Sequence, residues 1–177
     1  MAKVLVVATS RKTRGGITAV VKAHEMGPQW RKYHCRWIQT HRDGPNYRKI
    51  LYFIISLSIY LFILPFYDLV HIHVSSYPSL RRKMYYFKLA KLYGKKIVVH
   101  FHPSGPDIIF NKKTQPSYKY IFSNADRVVV LSPQWKRWVN EAIAVTDNVQ
   151  YIYNPCPLVE KGHSDYSLKY ILKIGKF

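Results

Sequence analysis

The sequence predicts an α/β domain: a doubly wound parallel sheet of about six to seven strands with helices on both faces. Three observations carry this expectation. Short apolar runs recur along the 177 residues, and several are continuous rather than alternating, the pattern of strands covered on both sides. Between 15 and 30 residues separate successive runs, enough for a crossover helix each time. The intervening stretches carry apolar residues at helical spacing.

Taken in order, the strand candidates are "KVLVVAT" (3–9), "HCRWIQT" (34–40), "DLVHIHV" (68–74), "KKIVVHFH" (95–102), "DRVVVLS" (126–132) and "NVQYIYN" (148–154). The last nine residues, "KYILKIGKF", read as a seventh strand running into a glycine. In "GGITAVVKAHEMG", Ile17, Val20, Val21 and His24 fall on one helical face, and Gly27 and Pro28 stop the helix. "RRKMYYFKLAKLYG" predicts a helix with an apolar arc of Tyr85, Tyr86, Leu89, Leu92 and Tyr93. A basic stripe of Lys88, Lys91 and Lys95 lies opposite. In "SPQWKRWVNEAI", Ser132 suits an N-cap and Pro133 the first helical turn, with Trp135, Trp138 and Val139 on one face. The run "ILYFIISLSIYLFILPF" (50–66) is broken only by Ser56 and Ser58. It is short for a bilayer core of about 30 Å. A buried helix is the plain reading, and a helix lying in the membrane interface the sharper one.

Bulk composition narrows the class. Twenty-eight Lys and Arg against nine Asp and Glu give a net charge of +19, which favours anionic partners: nucleic acid, anionic lipid or a phosphorylated substrate. Cys35 and Cys156 match no metal or redox spacing and read as reduced, buried thiols of a cytoplasmic protein. The opening "MAKVLVVATS" has too few apolar residues for a secretory signal and reads as a strand.

In parallel sheets of this kind ligands gather at the carboxyl ends of strands. Three features fall there. The loop "TSRKTRGGIT" places Gly15 and Gly16 at the opening of a helix, a plausible phosphate cradle, with Arg11, Lys12 and Arg14 adding charge. A plain turn explains the same residues equally well. The other two features are the His-x-His pairs, His71/His73 and His100/His102, each closing a strand with both rings on one side. No carboxylate or cysteine accompanies them, so a zinc site is the minor reading. His71 and His100 read as packed, hydrogen-bonded core residues. His102, beside Pro103-Ser104-Gly105-Pro106, reads as facing a ligand.

Together "RGGITAVVKAH", "DLVHIHVSS", "GKKIVVHFHPSG", "ADRVVVLSPQWKRW" and "VQYIYNPC" resemble, in order over residues 3–177, the N-terminal domain of family 4 retaining glycosyltransferases with the GT-B fold. The resemblance implies two Rossmann-like domains facing across a cleft. Residues 1–160 would form the first, and 161–177 a linker and the first strand of a second, donor-binding domain. Lys176 stands where the family usually has Arg. By position, Gly15, Gly16 and Arg14 would lie near the donor phosphates. His102 would be the catalytic-site histidine that contacts the transferred sugar. Ser104, His73 and Lys12 would serve the acceptor side, and Asn154-Pro155 the hinge. The family's acidic pair and Arg/Lys phosphate clamp belong to the second domain. No cofactor or metal is implied, only a nucleotide-sugar donor. The expected acceptor is a glycan or a polyprenyl-phosphate-linked one, reached by peripheral attachment to the anionic inner face of the cell membrane. Three rivals remain: a basic nucleic-acid-binding α/β domain, a metal-dependent hydrolase using the His-x-His pairs, and a structural partner subunit whose donor domain comes on another chain.

Overall fold

In the computed structural model the described residues are 2–145 and 147–155. All six strand candidates up to residue 154 form strands: β1 (Val4–Ala8), β2 (Arg36–Gln39), β3 (Leu69–Val74), β4 (Lys96–Phe101), β5 (Arg127–Val130) and β6 (Val149–Tyr151). They pair in parallel in the order β2-β1-β3-β4-β5-β6. The expected seventh strand, the linker from residue 161 and Cys156 lie outside the described residues.

The helices are α1 (Gly16–Met26), α2 (Pro28–Lys32), α3 (Asn46–Ile63, continued by a 3-10 turn over Leu64–Phe66), α4 (Tyr77–Leu92), α5 (Asp107–Phe110), α6 (Gln115–Ser123) and α7 (Pro133–Ile143). Ser132 caps α7 as expected, its Oγ accepting from the Trp135 N–H at 3.3 Å. Three short helices went unread in the sequence. Pro28 both ends α1 and opens α2. Helix α6 had a legible signal in Pro116 at its first turn and in Tyr118, Ile121 and Phe122 at i, i+3 and i+4, all buried.

The strand order dictates an uneven cover. The step from β1 to β2 runs opposite to every later step, so right-handed crossovers send α1 to one face and the later crossover helices to the other. The two apolar clusters show this split. Leu5, Val7, Val70, Ile72, Val74, Ile97, Val99, Phe101, Val128 and Val130 pack with residues of α3, α4, α6 and α7. On the opposite side Val6, Ala8 and Trp37 pack with Ile17 and Val21 of α1. His71, His73 and His100 alternate with the first set, so they face the α1 side.

Two helical expectations need correction. The buried face of α4 is Ser79, Leu80, Lys83, Tyr86, Phe87 and Ala90; Tyr85, Leu92 and Tyr93 of the predicted arc are exposed. The helix begins four residues earlier than expected, and its inward stripe includes a lysine that a hydrophobic count passes over. Lys88 and Lys91 do lie exposed as a basic stripe, whereas Lys95 donates to the Pro65 carbonyl at 3.0 Å. Nor is α3 a buried helix, and it is not short: with its 3-10 continuation it runs 21 residues, Asn46–Phe66, long and apolar enough by length and composition to cross a membrane. It turns Ser56 and Tyr60 inward and leaves Ile50, Leu51, Ile54, Ile55, Ile59 and Phe62 exposed. The inward polar groups are paired: Tyr60 Oη donates to the Tyr86 carbonyl at 3.0 Å, and Tyr86 Oη donates to Ser56 Oγ at 3.0 Å.

Lys83 is fully buried and donates to Ser79 Oγ at 3.0 Å. Burial first, then the Arg82 charge, push its pKa down to about 7. The unfolded chain holds that proton up to roughly pH 10.5, so between pH 7 and 10 it binds more protons than the folded state, and folding stability rises with pH. The slope should be on the order of 1 kcal/mol per pH unit, flattening below pH 7 where both states are charged. Denaturant unfolding of wild type and Lys83→Met across pH 6–10 checks this; the variant should lose the rise.

Candidate active site at the strand tips

The sheet reverses direction at β1, which has β2 on one side and β3 on the other. Crevices that bind ligands open at the carboxyl ends of strands at such a point. The loop after β1 enters it and is tied down from β2. Ser10 Oγ and the Arg11 N–H both donate to Gln39 Oε1 at 2.9 Å. The Trp37 Nε1–H donates to the Thr9 carbonyl at 3.0 Å, and the Thr9 and Thr18 hydroxyls lie 2.9 Å apart. Gln39, Thr9, Thr18 and Trp37 thus shape the loop, and nothing in their sequence spacing marks them, because they meet only across strands.

Gly15 has φ 148° and ψ 165°, a region open essentially to glycine alone. It caps α1 with no side-chain hydrogen bond, and a Cβ on either Gly15 or Gly16 would meet no atom within 4 Å. The first turn of an eleven-residue helix is therefore unobstructed on the side where a Cβ of Gly15 or Gly16 would stand, with the helix dipole behind its N–H groups. Gly15→Ala should cost about 1–3 kcal/mol of stability through backbone strain. Gly16→Ala, with no positive φ and open space around it, should fold at least as well as wild type. Thermal melts of the pair separate the two roles.

The charges of this loop divide. Arg11 does not join the cradle: it pairs with Glu25 and lies 4.6 Å over the Trp37 ring. Lys12 and Arg14 are exposed.

Strands β3 and β4 are neighbours, so the two His-x-His pairs meet. His73 and His100 are direct register partners. Ring centroids are 4.4 Å apart for His71–His73, 5.0 Å for His73–His100 and 4.1 Å for His100–His102. A fifth ring, His24 of α1, lies 6.1–6.4 Å from His71, His73 and His100. His73 Nδ1 and His102 Nε2 share a hydrogen bond of 2.9 Å. His71 and His100 are packed as expected but not hydrogen-bonded as expected. Among the described residues His71 Nε2, His73 Nε2 and both ring nitrogens of His100 are buried without a partner. Stacking against rings fills space yet offers no donor or acceptor. Burial is the first cause that drives His71 and His102 down to about 3 and His73 and His100 well below the usual histidine range, and neighbouring histidines add to it. All four rings are neutral at pH 7.

His102 closes β4, its N–H donating to the Val74 carbonyl at 2.7 Å, and sits at the mouth of the cluster with little exposure. Ser104 is exposed on the following loop. His73 is fully buried and meets the strand tips only through His102. Asn154 and Pro155 are exposed beyond the edge strand β6, on the far side of the sheet from the β1 crevice. The tertiary structure therefore brings Gly15, Gly16, His73 and His102 to the carboxyl ends of three adjacent strands, and leaves Asn154-Pro155 apart.

A separate cavity of about 470 Å³ opens between α3, α4 and α6, lined by Phe53, Tyr77, Arg81, Arg82, Tyr85 and Lys88 among others. Arg82 Nε is buried there with no hydrogen-bond partner among the described residues. Sequence reasoning missed this arginine, since its isolation arises only when α3 packs on α4.

The family model for Glycosyltransferase Family 4 matches residues 4–159. No curated protein matches the chain. Among solved structures the chain is similar to the Anabaena protein HepE in complex with UDP-glucose, at 15% identity and a TM-score of 0.63. The complexes of the same protein with UDP and glucose, and with UDP, match at 14% identity and TM-scores of 0.57 and 0.55. The match covers 87–88% of this chain and 44–45% of those, so the chain spans less than half the length of HepE. At such identities the likeness is one of fold.

Proposed function

Because the chain belongs to glycosyltransferase family 4, we propose that it forms the acceptor-side half of a nucleotide-sugar-dependent, retaining glycosyl transfer of the hexosyl class. The observation that carries this reading is that the open helix start at Gly15–Gly16, after β1, and His102, after β4, lie at the same carboxyl edge of the sheet with only β3 between their strands. Such a transfer breaks the bond between the sugar's anomeric carbon and the nucleotide phosphate. Negative charge grows on the departing phosphate and positive charge on the ring. Preorganised N–H donors answer the first, and the start of α1 offers them, with Lys12 and Arg14 nearby. A neutral His102 can hydrogen-bond a sugar hydroxyl without adding like charge to the ring. Ser104 lies exposed on the loop that follows His102.

The acceptor reading is a phosphate-linked lipid, as in assembly of a cell-surface polysaccharide or lipid-linked glycan. The α3–α4 cavity supports it: three cationic side chains and an unpartnered buried guanidinium N–H favour a phosphate, while Phe53, Met84 and Tyr85 favour a chain of carbon. The exposed apolar face of α3 adjoins that cavity through Phe53, consistent with peripheral seating on the inner face of the cell membrane.

Titration of isotope-labelled residues 1–177 with UDP-glucose, followed by NMR, tests the donor side. Shifts should centre on the amides of Gly15, Gly16 and Ile17 and on the His102 ring. Binding should be in the millimolar range, because the acidic pair and phosphate clamp implied for the donor side are assigned to no residue of this chain. Transfer by residues 1–177 alone should be very slow. Shifts confined to other surfaces, or rapid transfer by this chain alone, contradict the proposal.

A further inference from the structure

We infer that the histidine cluster under α1 is a transition-metal site, in which His71, His73 and His100 ligate one divalent ion of the zinc class. One ring nitrogen from each comes within 4.8 Å of the others. Around a tetrahedral zinc with Zn–N distances of about 2.0–2.1 Å, ligand nitrogens lie about 3.3 Å apart. The strands set the triangle. His73 and His100 are register partners, and His71 stands two residues back on the same face.

The unpaired nitrogens supply the independent reason. Four buried ring nitrogens without partners, in three adjacent residues, are a costly arrangement for packing alone. A divalent ion takes up one lone pair from each ring, and the remaining N–H of each then points away from it. His102 supports this role from outside the triangle. When His73 Nδ1–H donates to His102 Nε2 across 2.9 Å, His73 Nε2 is a bare lone pair directed into the cluster. That is the orienting bond that metal-bound histidines usually make. Half-buried His24 lies above the triangle, 6.1–6.4 Å from each of the three rings. From there it can swing in as a fourth ligand or leave that position to water. The donor set of imidazoles, with no carboxylate or thiolate in the group, selects zinc, nickel or copper over magnesium and calcium.

The metal site adjoins the proposed sugar site through His102, but its test shares no readout with the UDP-glucose titration. The purified chain is stripped with EDTA, equilibrated with Zn²⁺, desalted and analysed for bound metal. Co²⁺ serves in parallel as a visible-spectrum probe. The expected result is one equivalent of zinc, a higher Tm, and intense four-coordinate Co²⁺ bands. His71→Gln with His100→Gln should lower affinity at least 100-fold, and His102→Gln about 10–100-fold. His34→Gln with His41→Gln, which removes histidines outside the cluster, should bind as wild type does. Failure of the wild-type chain to retain zinc, weak octahedral Co²⁺ bands, or loss of binding only in the His34/His41 variant overturns the inference. Wild type and the His34/His41 variant decide it even if the cluster variants do not fold.

Discussion

Replacing Ile54 and Phe62 together with glutamate will lower binding to vesicles containing anionic phosphatidylglycerol by more than 100-fold while leaving the fold intact. Both side chains are already solvated in the free protein, at 53% and 77% exposure, so folding loses little by the change. Membrane seating loses much. Burying a large apolar side chain contributes about 1.5–3 kcal/mol, and two such losses correspond to more than two decades in affinity. Exposed Arg42, before α3, and Arg48 of α3 border a hollow that also holds Asp43 and the α3 residues Leu51 and Ile55, so two cations outnumber one carboxylate beside the apolar contacts. Each basic residue near an anionic surface adds about 1 kcal/mol; binding to neutral vesicles should therefore be weaker for wild type. Co-sedimentation measures both effects. Equal partitioning of wild type and variant would remove the membrane from the proposed function, and a matching Tm would confirm that the loss is not unfolding. A steep, salt-dependent affinity for RNA in place of lipid would favour the nucleic-acid alternative for the +19 charge.

The second large effect is on stability. Phe101→Ala should destabilise the chain by about 3–5 kcal/mol. Phe101 is fully buried at the end of β4, with ring centroids of Tyr118, Phe122 and Trp135 at 5.5, 5.3 and 5.8 Å. Three edge-on or tilted ring contacts would be lost with the transfer energy of the side chain, leaving a void that β4, α6 and α7 cannot close without moving. The same strand carries His100 and His102 on its other face, so the deletion should also broaden the His102 ring signals in NMR spectra. Urea unfolding gives the energy. A loss below about 1 kcal/mol would mean that the aromatic cluster is not a rigid support for the strand tips.

The parts of the fold that were legible are those governed by local chemistry. A run such as Ile97-Val98-Val99 can hardly be other than a covered strand, and Ser132-Pro133 announces a helix start that the capping bond then makes. Gly15 was legible as a special position, and its φ of 148° gives the reason. Amphipathic reading failed where side chains behave against type. An apolar helix with no polar face offers no clue to which side goes in, and α3 resolves the matter by pairing Ser56 and Tyr60 with Tyr86, leaving its isoleucines outside. In α4 a buried lysine occupies the inward stripe.

By itself the sequence determined the six strands, their parallel α/β arrangement, the Gly-Gly helix start and the placing of both His-x-His pairs at strand ends, because each follows from spacing between near neighbours in the chain. Only the tertiary structure decided what those pairs became. Strand order put β3 beside β4 and α1 above them, gathering five imidazoles from three elements into one cluster with unpaired nitrogens. It likewise turned Arg11 away to Glu25 and left Arg82 Nε buried without a partner beside α3. Such contacts join residues of separate elements, and their geometry depends on which neighbours a strand or helix finds, something no local pattern encodes.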